Sequence, residues 1–282
     1  MLTAPAPGRT GGYSVSLAED GDQVAAAQRL RHQVFAAEFG ARLAGTGPGG
    51  RDVDDFDAHC DHLIVQEQRT GAVVGTYRLL PPARAARLGR RYSDSEFDTR
   101  PLRLLDAHLV EAGRSCVHPE HRTGAVINLI WSGIARYMQV RNLRWLGGCA
   151  SLPLHDGGAT AHAVWDQVRH THLAPPLLRV RPRRPWLAEP SAQGPAAPPA
   201  TDAPATDAPA TDAPATDAPA TDAPAAVRRT PMPPLLRGYL RLGAWVCGEP
   251  AYDPDFAVAD LYVLLSLDRM DPRYLRHFLE GR

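Results

Sequence analysis

Apolar positions recur along this chain at two periods, and segments of one period alternate with segments of the other. Tyr13 to Leu17 predicts a first strand, and Val24, Ala27, Leu30 and Val34 then fall on one helix face, with Asp22 placed to cap its start. His62 to Gln68 and Val73 to Leu80 predict two strands joined by a hairpin turn at Arg69-Thr70-Gly71-Ala72. A polar, arginine-rich excursion runs from Pro81 to Arg100, and Leu109 to Val117 predicts the next strand. After Pro119, Ile127, Ile130, Ile134 and Met138 mark the apolar face of a helix. Trp145 to Ser151 predicts a strand, Gly158 to His170 a helix and Leu177 to Arg181 a strand; much later, Leu235 to Leu242 predicts a short helix and Val258 to Leu267 an apolar strand. This alternation predicts an α/β (α+β) fold, a mixed twisted sheet with helices on both faces.

Between the last two groups, Thr-Asp-Ala-Pro-Ala runs five times from Thr201 to Ala225. Proline at every fifth position forbids a regular helix, and threonine, aspartate and alanine bury too little to offset the entropy of ordering. With their Pro-rich flanks, residues 190–234 are expected to form a disordered linker. Residues 1–12 read as a disordered tail. Residues 235–282 are too few for a robust core of their own. They are therefore expected to complete the domain begun at 13–189.

Composition narrows the class. Of 282 residues, 44% are hydrophobic and 22% charged, the balance of a water-soluble globular protein. The 31 basic residues are all arginine and cancel 31 acidic ones, which argues against a nucleic-acid binder driven by overall positive charge. Local clusters then matter: Arg84, Arg87, Arg90 and Arg91 form one, and Arg179, Arg181, Arg183 and Arg184 another. Four scattered cysteines without a CxxC pair read as reduced thiols. The first residues lack the basic start and apolar run of a signal peptide, and no apolar run reaches the ~20 residues that span a bilayer. A cytoplasmic location is expected.

Four clusters could carry chemistry. Arg31 and Phe35, four apart, share a helix face. Asp52-Val53-Asp54-Asp55-Phe56-Asp57 sets four carboxylates beside an aromatic ring, which suits an ammonium group as well as a solvated loop. Arg78 stands in the apolar run from Val73 to Leu80, so it must reach solvent or a carboxylate. In Glu111 to Val117, alternation puts Glu111, Gly113 and Ser115 on one side and Arg114 on the other, with Gly113 marking a candidate bulge. The turn at Arg122, Thr123 and Gly124 opens a helix whose free N–H groups suit a phosphate, or equally a plain capped start. His59-x-x-His62 and His118-x-x-His121 lack a third ligand nearby, so no metal is expected.

The order Arg31-x-x-Val34-Phe35-x-x-Glu38, Asp54-x-Phe56-Asp57, Gly75-x-x-Arg78-Leu79-Leu80-Pro81 and Glu111-x-x-Arg114-Ser115-x-Val117 resembles the acyl-homoserine-lactone synthases. The segments Asn128 to Ile134, Gly238 to Ala244 and Gly248 to Phe256 resemble, more narrowly, the ornithine lipid N-acyltransferases. The resemblance implies a Gcn5-related acyltransferase fold with no permanently bound cofactor. It further implies acyl-4'-phosphopantetheine on acyl carrier protein as co-substrate, and an amino-acid acceptor, ornithine, whose acylation gives a lyso-ornithine lipid. A lipid product would draw the protein to the inner face of the membrane. His121-x-x-Gly124-x-Val126 departs at both ends from the loop pattern of acetyl-CoA users, which weighs against free CoA as donor.

In such a reaction Glu111 is the candidate general base, desolvated by its apolar strand. Asp54 and Asp57 would orient the amine, and Arg31, Arg78 or Arg114 would pair with these acids or bind the substrate carboxylate. Phe35 and Ser115 complete the expected substrate region, and backbone N–H groups near Gly113 to Ser115 would hold the oxyanion. Arg122, Thr123 and Gly124 would bind the phosphopantetheine arm. Cys116 reads as a buried small residue rather than a nucleophile. The competing readings are acyl-homoserine-lactone synthesis, CoA-dependent N-acetyl transfer, and an inactive relative that only binds acyl carrier protein.

Overall fold

The computed structural model describes residues 8–38, 46–47, 49–186 and 232–280. All but the last three residues of the expected linker lie outside them, and of those three Pro234 already begins a helix. The main sheet has nine strands. In chain order they are β1 (Gly8–Thr10), β2 (Tyr13–Leu17), β3 (Asp61–Glu67), β4 (Val73–Leu80), β5 (Leu109–Val117), β6 (Trp145–Pro153), β7 (Trp245–Val246), β8 (Ala251–Asp253) and β9 (Val258–Ser266). Neighbours run β1-β2-β3-β4-β5-β6-β9, and both β7 and β8 pair with β9. Ladders between these strands are antiparallel except β5 with β6.

Among the described residues six α-helices accompany the sheet: α1 (Gly21–His32), which continues as a π-helix over Gln33–Glu38, α2 (Pro82–Leu88), α3 (Gly124–Val140), α4 (Ala159–Thr171), α5 (Pro234–Arg241) and α6 (Pro272–Glu280). One sheet face, carrying Leu63, Leu79, Val110, Leu146, Leu261 and Val263, packs with α3, α4, α5 and α6 into the larger core. The opposite face carries Leu109, Tyr262 and Leu264, which pack on Phe97 and Leu102 of the excursion. Helix α1 also packs against β4 and β5. No helix among the described residues is long and apolar enough to cross a membrane.

Two departures from regular pairing shape the centre of the sheet. Strands β5 and β6 pair only at Leu109↔Trp145, Val110↔Leu146 and Glu111↔Gly147. Beyond these residues the two strands part. Gly148 sits at the fork, where a Cβ would stand 2.1 Å from the Ala112 carbonyl oxygen, so only glycine fits. Between β4 and β5, Arg78 pairs with Gly113 and Thr76 with Cys116, which leaves Tyr77 opposite both Arg114 and Ser115. That is a bulge, and Arg114 takes a φ of +51° to make it. On the far side of the fork, β9 pairs with the whole of β6, from Val258↔Pro153 to Ser266↔Trp145.

Several expectations are corrected. Gly8–Thr10, assigned to the tail, pairs with β2 and forms the sheet edge. Asp20, not Asp22, caps α1: its backbone is extended and its side chain accepts from Gln23 N at 2.8 Å, whereas Asp22 lies in the first turn. Ile127 is 42% exposed because α3 turns Val126, Ile130 and Ile134 inward instead. The strand expected at Leu177 to Arg181 is a short 3-10 turn over Pro176–Leu178, followed by a two-residue ladder of Arg181 and Pro182 with Asp98 and Phe97. Two consecutive prolines set the turn. The excursion holds α2 and a 3-10 turn over Tyr92–Ser95.

Helix α5 is anchored by its aromatic side chains. Tyr239 meets Trp131 of α3 edge to face at 4.9 Å, and its hydroxyl lies 2.5 Å from that of Tyr77 in β4. Trp131 also stacks on Phe278 of α6. Trp131→Ala should therefore lower unfolding stability by about 3–5 kcal/mol, whereas Ile127→Ala should stay within about 0.5 kcal/mol, both read as shifts in the urea midpoint.

Candidate active site

Helix α1 brings Arg31 under the acidic loop, and the loop wraps around it. Arg31 is fully buried; its Nε donates to Asp52 Oδ2 at 2.8 Å, and its Nη2 donates to the Asp52 carbonyl at 2.6 Å and to Asp57 Oδ2 at 2.9 Å. The loop also closes on itself, since Asp54 N donates to Asp57 Oδ2 and Phe56 N to Asp54 Oδ1. Arg78 arrives from β4 and donates through Nη1 to Asp54 Oδ1 at 2.5 Å and Asp57 Oδ1 at 3.2 Å. Arg114, aimed by the bulge, donates from Nη2 to Asp54 Oδ2 at 3.3 Å, while its Nε lies 3.2 Å from Asp52 Oδ2. Three arginines thus meet three aspartates, and the group is neutral as a whole. Burial alone would raise the Asp57 carboxyl, but the hydrogen bond and charge of Arg31, with the charge of Arg78, hold it down at about 2.

Aromatic rings enclose the cations. The Arg114 guanidinium lies 4.9 Å from the ring centres of both Tyr92 and Phe256, and it donates to the Tyr92 hydroxyl at 3.1 Å. Phe35 meets Phe256 edge to face at 5.8 Å, which brings it to the same place.

Glu111 is buried, as its apolar strand implied, but its carboxylate is taken up by a turn. Its residue is 4% exposed, and it caps the turn at Tyr92: Oε2 accepts from Tyr92 N at 2.7 Å, and Oε1 accepts from Ser93 N at 3.0 Å and Ser93 Oγ at 2.5 Å. Burial pushes its carboxyl above the usual range, with those hydrogen bonds pulling the other way. Glu111 is thus linked to the Asp54 group through Tyr92, which also bonds Arg114.

Direct substrate contact by Arg31, Arg78 and Asp57 is corrected by burial. They are 0%, 3% and 8% exposed, and the Asp57 carboxylate bonds both arginines, which is the pairing with acids expected as their alternative. Asp54 and Arg114 keep side-chain exposures of 21% and 12%. Ser115 lies apart from them, at the Tyr77 hydroxyl of the apolar face. Arg122, Thr123 and Gly124 form the exposed start of α3, where Thr123 takes the cap position without a side-chain cap bond and Arg122 Nε donates to the Val117 carbonyl at 3.2 Å. His118 and His121 bond Gln33 and Tyr13. Cys116 is buried.

Sequence reasoning missed Tyr92, Phe256 and a set of buried acids, Glu96, Asp253 and Asp260. Asp260 showed the same signal as Arg78, a charge within an apolar strand. Glu96 and Tyr92 lay in an excursion without periodicity and carried no signal of their own. A groove of about 1320 Å³ opens beside this network rather than on it: Arg84, Arg87, Arg90, Arg91 and Arg103 line it, while Asp54, Asp57 and Glu111 do not.

Residues 30–132 match the Acetyltransferase (GNAT) domain family. The chain is 35% identical to the L-ornithine N(alpha)-acyltransferase of Rhodobacter capsulatus, covering 96% of this chain and 97% of that one. It is 32% identical to the protein of the same name from Brucella abortus, covering 96% and 90%. Among solved structures, a CoA-dependent acyl-homoserine lactone synthase superposes with a TM-score of 0.49 at 13% identity, over 93% of this chain and 82% of that one. With its mixed sheet, its GNAT match and these near full-length relatives, the chain is an acyltransferase and belongs to the L-ornithine N(alpha)-acyltransferase family.

Proposed function

We propose that the protein moves a fatty acyl group from the 4'-phosphopantetheine thioester of acyl carrier protein to the α-amine of ornithine, giving a lyso-ornithine lipid. The observation that carries this reading is the fork between β5 and β6, which opens beside the bulge at Arg114 and Ser115. A thioester seated in the fork would meet the backbone N–H groups of the bulge as its carbonyl oxygen gains charge.

An amino acid's amine is protonated at neutral pH and must lose a proton before it attacks. Glu111 takes that proton through a water molecule, because Oε2 accepts only the Tyr92 N–H and keeps a free lone pair. The C–N bond then forms, the C–S bond breaks, and the thiolate leaves with the second amine proton. Asp54, Arg114 and Phe35 face the acceptor, while Arg31, Arg78 and Asp57 hold them in place. Arg122, Thr123 and Gly124 receive the phosphate of the arm at the start of α3. The arginine groove gives acidic carrier protein a complementary surface, although ion pairs such as Arg91 with Asp106 already use part of its charge.

Incubation with a long-chain acyl carrier protein and a mixture of amino acids should yield N-acyl-ornithine by mass spectrometry. A product on another amine, or none, would sink the reading. The proton acceptor must be ionised to work, so kcat/KM should fall as pH drops through the raised Glu111 value, giving an acid limb above the ordinary carboxylate range. Glu111→Gln should abolish that limb and lower the rate roughly 10²- to 10⁴-fold. Arg87→Glu with Arg90→Glu should raise KM for the carrier-bound donor severalfold at low salt and leave KM for ornithine unchanged.

A further inference from the structure

Beside the neutral arginine–aspartate group lies an unbalanced one. Glu96 follows the Tyr92 turn, Asp253 ends β8, and Asp260 stands in β9 opposite Ser151 of β6. One carboxylate oxygen from each lies within 4.8 Å of the others. The three residues are 9%, 7% and 3% exposed, and among the described residues no arginine or histidine forms an ion pair with any of them. Arg114, whose charge acts on Asp260, is already bonded to Tyr92 and Asp54. Glu96 Oε2 and Asp260 Oδ1 are buried without any hydrogen-bond partner. Burial, and for Glu96 the neighbouring Asp260 as well, pushes the carboxyls of Glu96 and Asp260 above the usual carboxylate range. Acids gathered this way, with two oxygens unsatisfied, are costly to the fold, and a bound cation would relieve that cost.

The cluster adjoins the fork. Cys149 reaches Glu96 and Ser151 reaches Asp260, both from the part of β6 that has separated from β5. Ser151 is exposed and Cys149 half-buried, so the acids form a floor beneath an accessible rim. A reacting amine belongs at the rim beside the bulge, and the floor suits the far end of the acceptor's side chain.

We infer that Glu96, Asp253 and Asp260 bind a second ammonium group carried on the acceptor side chain, which makes the enzyme selective for diamino acids. This rests on the amino-acid acylation proposed above. An ammonium offers three N–H donors to three carboxyl groups, whereas an uncharged side chain would leave Glu96 Oε2 and Asp260 Oδ1 unsatisfied.

The test compares ornithine with norvaline, which has the same carbon chain without the distal amine, on the full-length enzyme with one acyl donor. Norvaline should be acylated with kcat/KM roughly 100-fold lower. Glu96→Gln and Asp260→Asn should narrow that preference mainly by raising KM for ornithine, with thermal melts checking that both variants fold. The wild-type comparison needs no variant, and equal use of the two amino acids would overturn the inference while leaving acyl transfer intact. Activity lost to EDTA and restored by Mg²⁺ or Ca²⁺ would also overturn it, by giving the cluster to a metal. Acylation of neither amino acid would overturn the parent reading and this one with it.

Discussion

The site depends on a buried charge balance. Arg31, Arg78 and Arg114 come from a helix and two strands, Asp52, Asp54 and Asp57 from one loop, and every one of them answers for another's burial. Removing a single partner from such a set costs about 3–5 kcal/mol, because the remaining charge is stranded in a poorly solvated place. The loop holds few apolar side chains, and its rigidity comes from this pairing. The left-handed backbone of Arg114, worth roughly 1–2 kcal/mol of strain, is tolerable because its guanidinium gains Asp54, Tyr92 and two aromatic faces.

Charge bookkeeping also explains how the centre is divided. The arginine-bearing half is balanced in charge without any ligand, so it can fix geometry before anything binds. The half formed by Glu96, Asp253 and Asp260 carries two oxygens that nothing among the described residues satisfies. Between the two runs Arg114 with Tyr92, and above both lies the fork of β5 and β6. A preorganised half next to an unsatisfied one is the layout expected where a charged molecule is to be both oriented and recognised.

Much of this was readable from residue order, and the failures have physical causes. Period-two alternation marked β2 and period 3.6 marked α3 because each buries one face, while β4 and β5 showed as apolar runs because they are buried on both. Arg78 was legible because a charge in an apolar strand demands a partner. What stayed hidden was the identity of partners: alternation says which side Glu111 faces, but not that the Tyr92 and Ser93 amides occupy it. The bulge defeated alternation at Ser115, which the strand period put beside Glu111 and the extra residue turned toward Tyr77. Short ladders such as β7 and β8 have no period at all, and they exist only because β9 offers them an edge.

The place of β9 bears on how the chain comes to life. Its nine partners in β6 were synthesised more than a hundred residues earlier, so during translation β6 must wait with an open, hydrogen-bonding edge until β9 leaves the ribosome. Closing such a distant pair is slow, and in that interval the nascent chain is exposed to aggregation and to chaperone capture. The length of that interval is set by topology rather than by the finished protein's strength.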